Sequence, residues 1–152
     1  MEMDMLRKCL IGLTAAVGLV AVQLALPGAA SADPANCSSW PNPVNATSTY
    51  TVASVSFSRA RAELRFGNIN GRQAGWARLA GAFNNGDQYW LDVSSTRGNG
   101  WIQCGPFTYT GDGGGDPRNF TPAHYTSSDP NLVFRACGKT AGSSASWCTG
   151  WQ

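Results

Sequence analysis

Between Thr49 and Phe57 the chain reads Thr-Tyr-Thr-Val-Ala-Ser-Val-Ser-Phe, dense in the β-branched and aromatic side chains that fit a pleated, half-buried surface. From Ala60 the pattern becomes a strict alternation. Ala60, Ala62, Leu64 and Phe66 share one face; Arg59, Arg61, Glu63 and Arg65 share the other. Such a period of two predicts a strand with one face in a core. The inward positions are odd at Val55 and Phe57 and even from Ala60 onward, so a bulge or tight turn is expected near Ser58 and Arg59. Similar apolar segments follow at Trp76 to Phe83, Gln88 to Val93, Trp101 to Tyr109, Leu132 to Cys137 and Ala145 to Trp151. Between them stand Gly67-Asn-Ile-Asn-Gly71, Asn84-Asn-Gly-Asp87, Arg97-Gly-Asn-Gly100 and Gly111-Asp-Gly-Gly-Gly-Asp-Pro117, rich in the residues that turns with positive φ require. Short strands at this spacing, without a helical-period stretch longer than about two turns, predict an all-β fold. The expected architecture is a small antiparallel β sandwich or partly open barrel.

The N-terminus follows another rule. Arg7 and Lys8 precede an apolar run from Leu10 to Leu26, which ends in Pro27, Gly28 and the small residues Ala30, Ser31 and Ala32. A basic head, an apolar middle and an A-x-A site are the parts of an export signal. The run is short for a span and is interrupted by Gly12, Gly18 and Gln23. Asp33, rather than a lipid-accepting Cys, follows the cleavage site. The expected division is 1–32 signal peptide, 33–47 Pro-rich arm containing Pro34, Pro41 and Pro43, and 48–152 secreted β domain. The expected location is extracellular, with no membrane association after cleavage.

Subtracting the leader changes the cysteine count. Cys9 goes with it, leaving Cys37, Cys104, Cys137 and Cys148, an even set that in an exported domain reads as two disulfides with three possible connectivities. Cys137 and Cys148 flank a loop of small residues and can meet across a hairpin, which leaves Cys37 to tie the arm to Cys104. Chain-entropy arguments put the two crosslinks at about 2.8 and 4.4 kcal/mol respectively. No pair of Cys or His stands at zinc-ligand spacing, and neither a metal nor another cofactor is expected.

The chemistry-bearing inventory is thin. Of 152 residues only 13% are charged and the net charge is +2, which gives no electrostatic case for nucleic acid. Beyond the leader there is one His, His124, one Lys, Lys139, and one Glu, Glu63. No G-x-S-x-G elbow accompanies them. A carboxylate pair for glycoside cleavage would have to come from Asp87, Asp92, Asp112, Asp116, Asp129 or Glu63, but most of these neighbour Gly, Pro or Asn, where turns use Asp for backbone reasons. One enzymatic alternative stands: a ribonuclease-like hydrolase with Glu63 as base, His124 as acid and Arg61 and Arg65 on the phosphate. Against it, Glu63 can pair with neighbouring arginines, and His124 reads as a loop residue. The favoured reading has no catalytic residues and is a binding domain, with Trp76, Trp90, Trp101, Arg61 and Arg65 as candidate contacts for a cell-wall polysaccharide or another secreted protein.

Glu63-Leu-Arg-Phe66, Ala74-Gly-Trp-Ala-Arg-Leu79, Gly86-Asp87 and the tail Phe134-Arg-Ala-Cys-Gly-Lys139 with Cys148-Thr-Gly-Trp151 resemble an actinobacterial family of exported domains of unknown function. That family has an L-R-[FY] strand and a W-A-R strand. The resemblance implies a small bacterial exported β domain of the streptomycete type and brings no activity with it. The family often carries a Cys just before the W-A-R strand, where this chain has Gly71 and Arg72.

Overall fold

The computed structural model describes residues 31–32, 37–111 and 119–152. The leader up to residue 30, the start of the arm at 33–36, and the Asp112 to Asp116 run lie outside the described residues. The elements, in order, are β1 (Ser31–Ala32), a 3-10 turn (Pro43–Asn45), β2 (Thr47–Phe57), β3 (Ala60–Ile69), β4 (Arg72–Gly81), β5 (Gln88–Ser94), β6 (Ile102–Thr108), β7 (His124–Tyr125), β8 (Val133–Lys139) and β9 (Trp147–Cys148).

Two sheets form. One has the order β2-β3-β4-β7; the other runs β6-β5-β8-β9, with the two residues of β1 added parallel to β6. All remaining pairs are antiparallel. The sheets face each other, β2, β3 and β4 lying over β8 and β4 also over β5, and do not close into a barrel. Of the two architectures expected, the sandwich is the one formed.

The β2–β3 hairpin follows from its alternation. Phe57 pairs with Ala60 across a two-residue turn in which Ser58 has φ +55°, where the change of parity demanded a turn. The next hairpin corrects an expectation. Gly67 to Gly71 was expected to separate strands, yet β3 runs on to Ile69 and β4 begins at Arg72, four residues before Trp76. Only Asn70 (φ +51°) and Gly71 (φ +77°) turn, the pair favoured by a two-residue turn with positive φ at both positions. Gly67 stays in the strand because a Cβ there would lie 3.0 Å from the Trp76 ring and 2.9 Å from Thr49; the indole takes the space a side chain would fill.

Between the sheets lie Phe57, Ala60, Ala62, Leu64, Ala77 and Leu79 from one side and Tyr89, Leu91, Val93, Phe134 and Ala136 from the other. Small residues on β3 and β4 make room for the larger rings opposite, so the layers interdigitate. Phe66 meets Phe134 edge to face at 5.6 Å. Both expected disulfides are present, Cys37–Cys104 and Cys137–Cys148. The first pins the arm as anticipated. The second joins residues directly opposed on β8 and β9. Beyond the short β9, pairing continues through Thr149 to Ala136 and Gln152 to Phe134, so the tail runs along β8 to its end. Two crosslinks are suited to an oxidising compartment. Among the described residues no helix is long and apolar enough to cross a membrane.

Candidate functional site

Directly opposed residues of an antiparallel pair project to the same side, so the register sorts the candidate residues by face. Glu63 lies opposite Arg78 and Arg65 opposite Trp76, all on the outer face of the β2-β3-β4-β7 sheet. Glu63 is almost fully buried there by arginines. Arg61 Nε donates to Oε1 at 2.7 Å, Arg78 Nε and Nη2 donate to Oε2 at 2.9 and 2.5 Å, and Arg65 Nη1 stands 4.0 Å off. Burial alone would raise the Glu63 pKa, but the hydrogen bonds and charges of Arg61 and Arg78 take it below the usual carboxylate range. Arg65 also donates to Thr51 and Thr49 at 2.7 and 3.0 Å. These guanidiniums are thus committed to the sheet.

Trp76 shares a second small core with Ile69, Ala74 and Ala123 on that same face, covered by Ala46 of the arm and by Phe120 and Tyr125. Trp90 is buried on the other sheet. Both rings were candidate ligand contacts; little of either is exposed, although Trp76 and Arg65 line a shallow hollow of about 340 Å³ on the outer face of the β2-β3-β4-β7 sheet. His124 pairs with Gly75 and touches Phe134 at 5.9 Å, so it belongs to the inner side of the sheet that carries Glu63 outside. The two groups of the hydrolase alternative are therefore placed on opposite faces and share no reacting centre.

The outer face of the second sheet holds an ion pair that the sequence, where Asp92 stood only among the carboxylates available for glycoside cleavage, did not announce. Asp92, mid-strand in β5, is 1% exposed. Arg135, opposite it on β8, donates Nε to Oδ2 at 2.8 Å, and its guanidinium sits between the Trp101 and Trp151 rings at 4.6 and 4.5 Å from their centroids. Oδ1 of Asp92 and Nε1 of Trp101 are buried without a partner. Burial pushes the Asp92 pKa up to about 6, with Arg135 opposing. The signal available in the sequence was an Asp inside Tyr-Trp-Leu-Asp-Val, where no turn needs it, and a matching Arg inside Val-Phe-Arg-Ala-Cys; each argues for the other.

A third region is concave. β7 edges one sheet and β6 the other on the same side of the sandwich, and the seam between them is bridged by the arm from Cys37 and by the segment from Asn119. Three hollows follow one another along it. One of about 400 Å³ is lined by Trp40, Tyr89, Phe107 and Phe120 among others; one of about 480 Å³ shares Trp40 with it and adds His124, Tyr125 and Leu132. The last, about 540 Å³, shares His124 and Leu132 and reaches Trp101, Ile102, Thr96 and Asn99. Among the described lining residues Arg72, stacked on Tyr125 at 3.9 Å, is the one permanent charge. His124 divides the groove, its ring 4.8 Å from Trp40. Burial lowers its pKa, with the Tyr125 carbonyl opposing, so the ring is neutral near pH 7. Its Nδ1 lies 2.8 Å from that carbonyl; a carbonyl accepts, so the proton sits on Nδ1 and Nε2 is left as an acceptor.

Of the residues proposed for binding, the groove contains Trp101 alone. Trp40, which lies in the Pro-rich arm, and His124, read as a loop residue, are the additions. β7 has two residues and no periodicity to detect, so nothing local marks His124 as sheet.

No family model, no curated protein and no solved structure matches this chain.

Proposed function

We propose that this is an exported, non-enzymatic binding domain whose seam groove takes a largely uncharged, linear glycan of the cell envelope. The leader pattern with Arg7, Lys8 and the Ala30 to Ala32 site supports export, as does the likeness of the L-R-F and W-A-R strands to exported actinobacterial domains. The carrying observation is the groove itself: aromatic rings at Trp40 and Trp101, hydroxyl and amide groups at Thr96 and Asn99, and a neutral His124, with the one nearby carboxylate, Asp129, in the hollow that adjoins it. Sugars ask for this combination, with an apolar ring face against each platform and neutral donors and acceptors at the rim. Repeated platforms along a line suit a chain of sugars better than a single ring.

A second reading has one observation behind it. Ser31–Ala32 pair in parallel with Ile102 and Gln103, so the β6 edge accepts an extended strand, and a secreted protein partner could use it.

Retention of the chain from Asp33 onward on purified cell-wall polysaccharide, set beside capture from culture supernatant, separates the two. Binding to polysaccharide that weakens about tenfold, near 1.4 kcal/mol, in each of Trp40→Ala and Trp101→Ala is the expected result. Retention by a protein alone, or polysaccharide binding untouched by both substitutions, overturns the glycan reading.

A further inference from the structure

The two disulfides sit in different surroundings. Cys37 and Cys104 are both fully buried, and no hollow described above opens on them. Cys137 is also fully buried, but its partner Cys148 lies on the short edge strand β9 and is half-buried. Of the four cysteines Cys148 is therefore the one that is not fully buried, and it is the side from which a thiolate from outside would approach. Behind the bond, Asp92 Oδ2 lies 3.6 Å from Cys137 Sγ, and the carboxylate and both sulfurs fall within 4.8 Å of one another. Neither sulfur carries hydrogen in a disulfide. The approach becomes a hydrogen bond only when Asp92 holds a proton and donates it.

We propose that Cys137–Cys148 is an exchange site for external dithiols, entered at Cys148, with the Asp92 carboxyl as proton donor to the departing Cys137 sulfur. The incoming thiolate forms a bond to Cys148 Sγ while the Cys137–Cys148 bond breaks, and the bonding pair leaves on Cys137. Expelling a thiolate into an apolar site is unfavourable, and transfer of the Asp92 proton to it removes the charge. The second thiol of the incoming dithiol, as its thiolate, then attacks the sulfur bound to Cys148 and releases Cys148 as a thiolate, which takes a proton from water. The external dithiol ends oxidised and the two cysteines reduced; Asp92 recovers its proton from solvent.

The surroundings serve the step. Arg135 holds Oδ2 from β8, Trp101 and Trp151 cover the guanidinium, and Gln103 is the register neighbour on β6. Among the described residues Arg135 is the charged group in contact with Asp92, and burial outweighs it, so the carboxyl keeps its proton to about pH 6. A carboxyl that protonates in this range can donate at mildly acidic pH.

The test is reduction of the folded, oxidised protein by dithiothreitol on both sides of pH 6, quenched by alkylation, with each disulfide followed by peptide mass. Cys137–Cys148 should open before Cys37–Cys104. Its rate constant, expressed per dithiothreitol thiolate, should fall as the pH rises through about 6, while that of Cys37–Cys104 stays flat. Asp92→Asn should slow the low-pH reaction on the order of 10²-fold, within the range of general acid catalysis, and flatten the profile. Equal opening of the two bonds, or a thiolate-corrected rate for Cys137–Cys148 that ignores pH in the native chain, overturns the proposal. Should Asp92→Asn not fold, the native profile decides alone, with the second disulfide as its internal reference.

Discussion

Glu63 and Asp92 hold equivalent places on the two outer faces, each in a central strand with an arginine directly across the ladder, Arg78 and Arg135 respectively. Both carboxylates are nearly inaccessible. Their protonation is nevertheless driven in opposite directions. Glu63 receives donors on both oxygens, from Arg61 and from Arg78, and the arginines around it reach water, Arg61 being 47% exposed. Asp92 receives one donor on one oxygen, and Oδ1 has none. An ion pair inside a protein offsets its desolvation only when the remaining lone pairs are also satisfied. The faces thus differ in how deeply the carboxyl is desolvated and in the number of filled acceptor sites, rather than in the presence of a salt bridge.

The sharpest break of this comparison is Arg135→Ala, which among the described residues removes the one side-chain donor to Asp92 and takes the guanidinium away from two indoles. Uncompensated buried charge costs about 3–5 kcal/mol, so denaturant melts at pH 7 should show a loss of that size. Acid should relieve it. The folded pKa of Asp92 lies above its unfolded value of 3.8, so its contribution is complete below that value and is lost as the pH rises through about 6. A shift of this extent makes about 3 kcal/mol pH-dependent. The Arg135→Ala deficit should therefore shrink between pH 7 and pH 4; a deficit independent of pH would mean that the indole packing, not the carboxylate, is what Arg135 supports.

The same contrast shows what the chain made legible. Alternation from Ala60 to Phe66 determined a strand, its inward face and the turn before it, because period two is a local property and burial enforces it. Cysteine spacing indicated both crosslinks for a related reason: a hairpin that brings Cys137 to Cys148 leaves one pairing for the others. Long-range partnerships were not legible. Glu63 and Arg61 are neighbours on one strand face and could be paired by inspection, and Arg78 joins them across a hairpin, whereas Asp92 and Arg135 lie 43 residues apart, and only the β5–β8 register joins them. Trp40, His124 and Trp101 come together for the same kind of reason, since the seam is made by two sheet edges and an arm tied down by Cys37. How little of Trp76 and Trp90 is exposed could not be read from the chain either, because burial on an outer face depends on what covers that face, which no strand pattern records.

Glu63→Gln probes the better-satisfied side and should cost less, about 1–3 kcal/mol, the range for losing charged hydrogen bonds at a buried group. Its pH dependence should run against that of Asp92. Because the folded pKa of Glu63 is lowered, its contribution is present above the unfolded value of 4.5 and is lost as the pH falls below it. The native chain should thus lose stability on acidification through this group, and Glu63→Gln should remove that loss. A variant as acid-sensitive as the native chain would place the sensitivity elsewhere.

Arg61→Ala should be the smallest of these effects. Its guanidinium is about half exposed and donates once, at 2.7 Å, to an oxygen on a carboxylate that Arg78 holds twice. Exposed pairs of this kind contribute about 0.2–1 kcal/mol and are screened by salt. The loss measured in Arg61→Ala should accordingly fade at molar salt, whereas the Arg135→Ala deficit, which rests on a fully buried carboxyl, should persist. Removing Arg61 also leaves Glu63 Oε1 without its donor, which brings this carboxylate a step toward the condition of Asp92. If the number of filled acceptor sites governs the direction of the shift, the Glu63 pKa followed by carboxyl NMR should rise in Arg61→Ala. A pKa that stays put would assign the lowering to Arg78 alone and confine the contrast between the faces to the burial of the arginine rather than the count of donors.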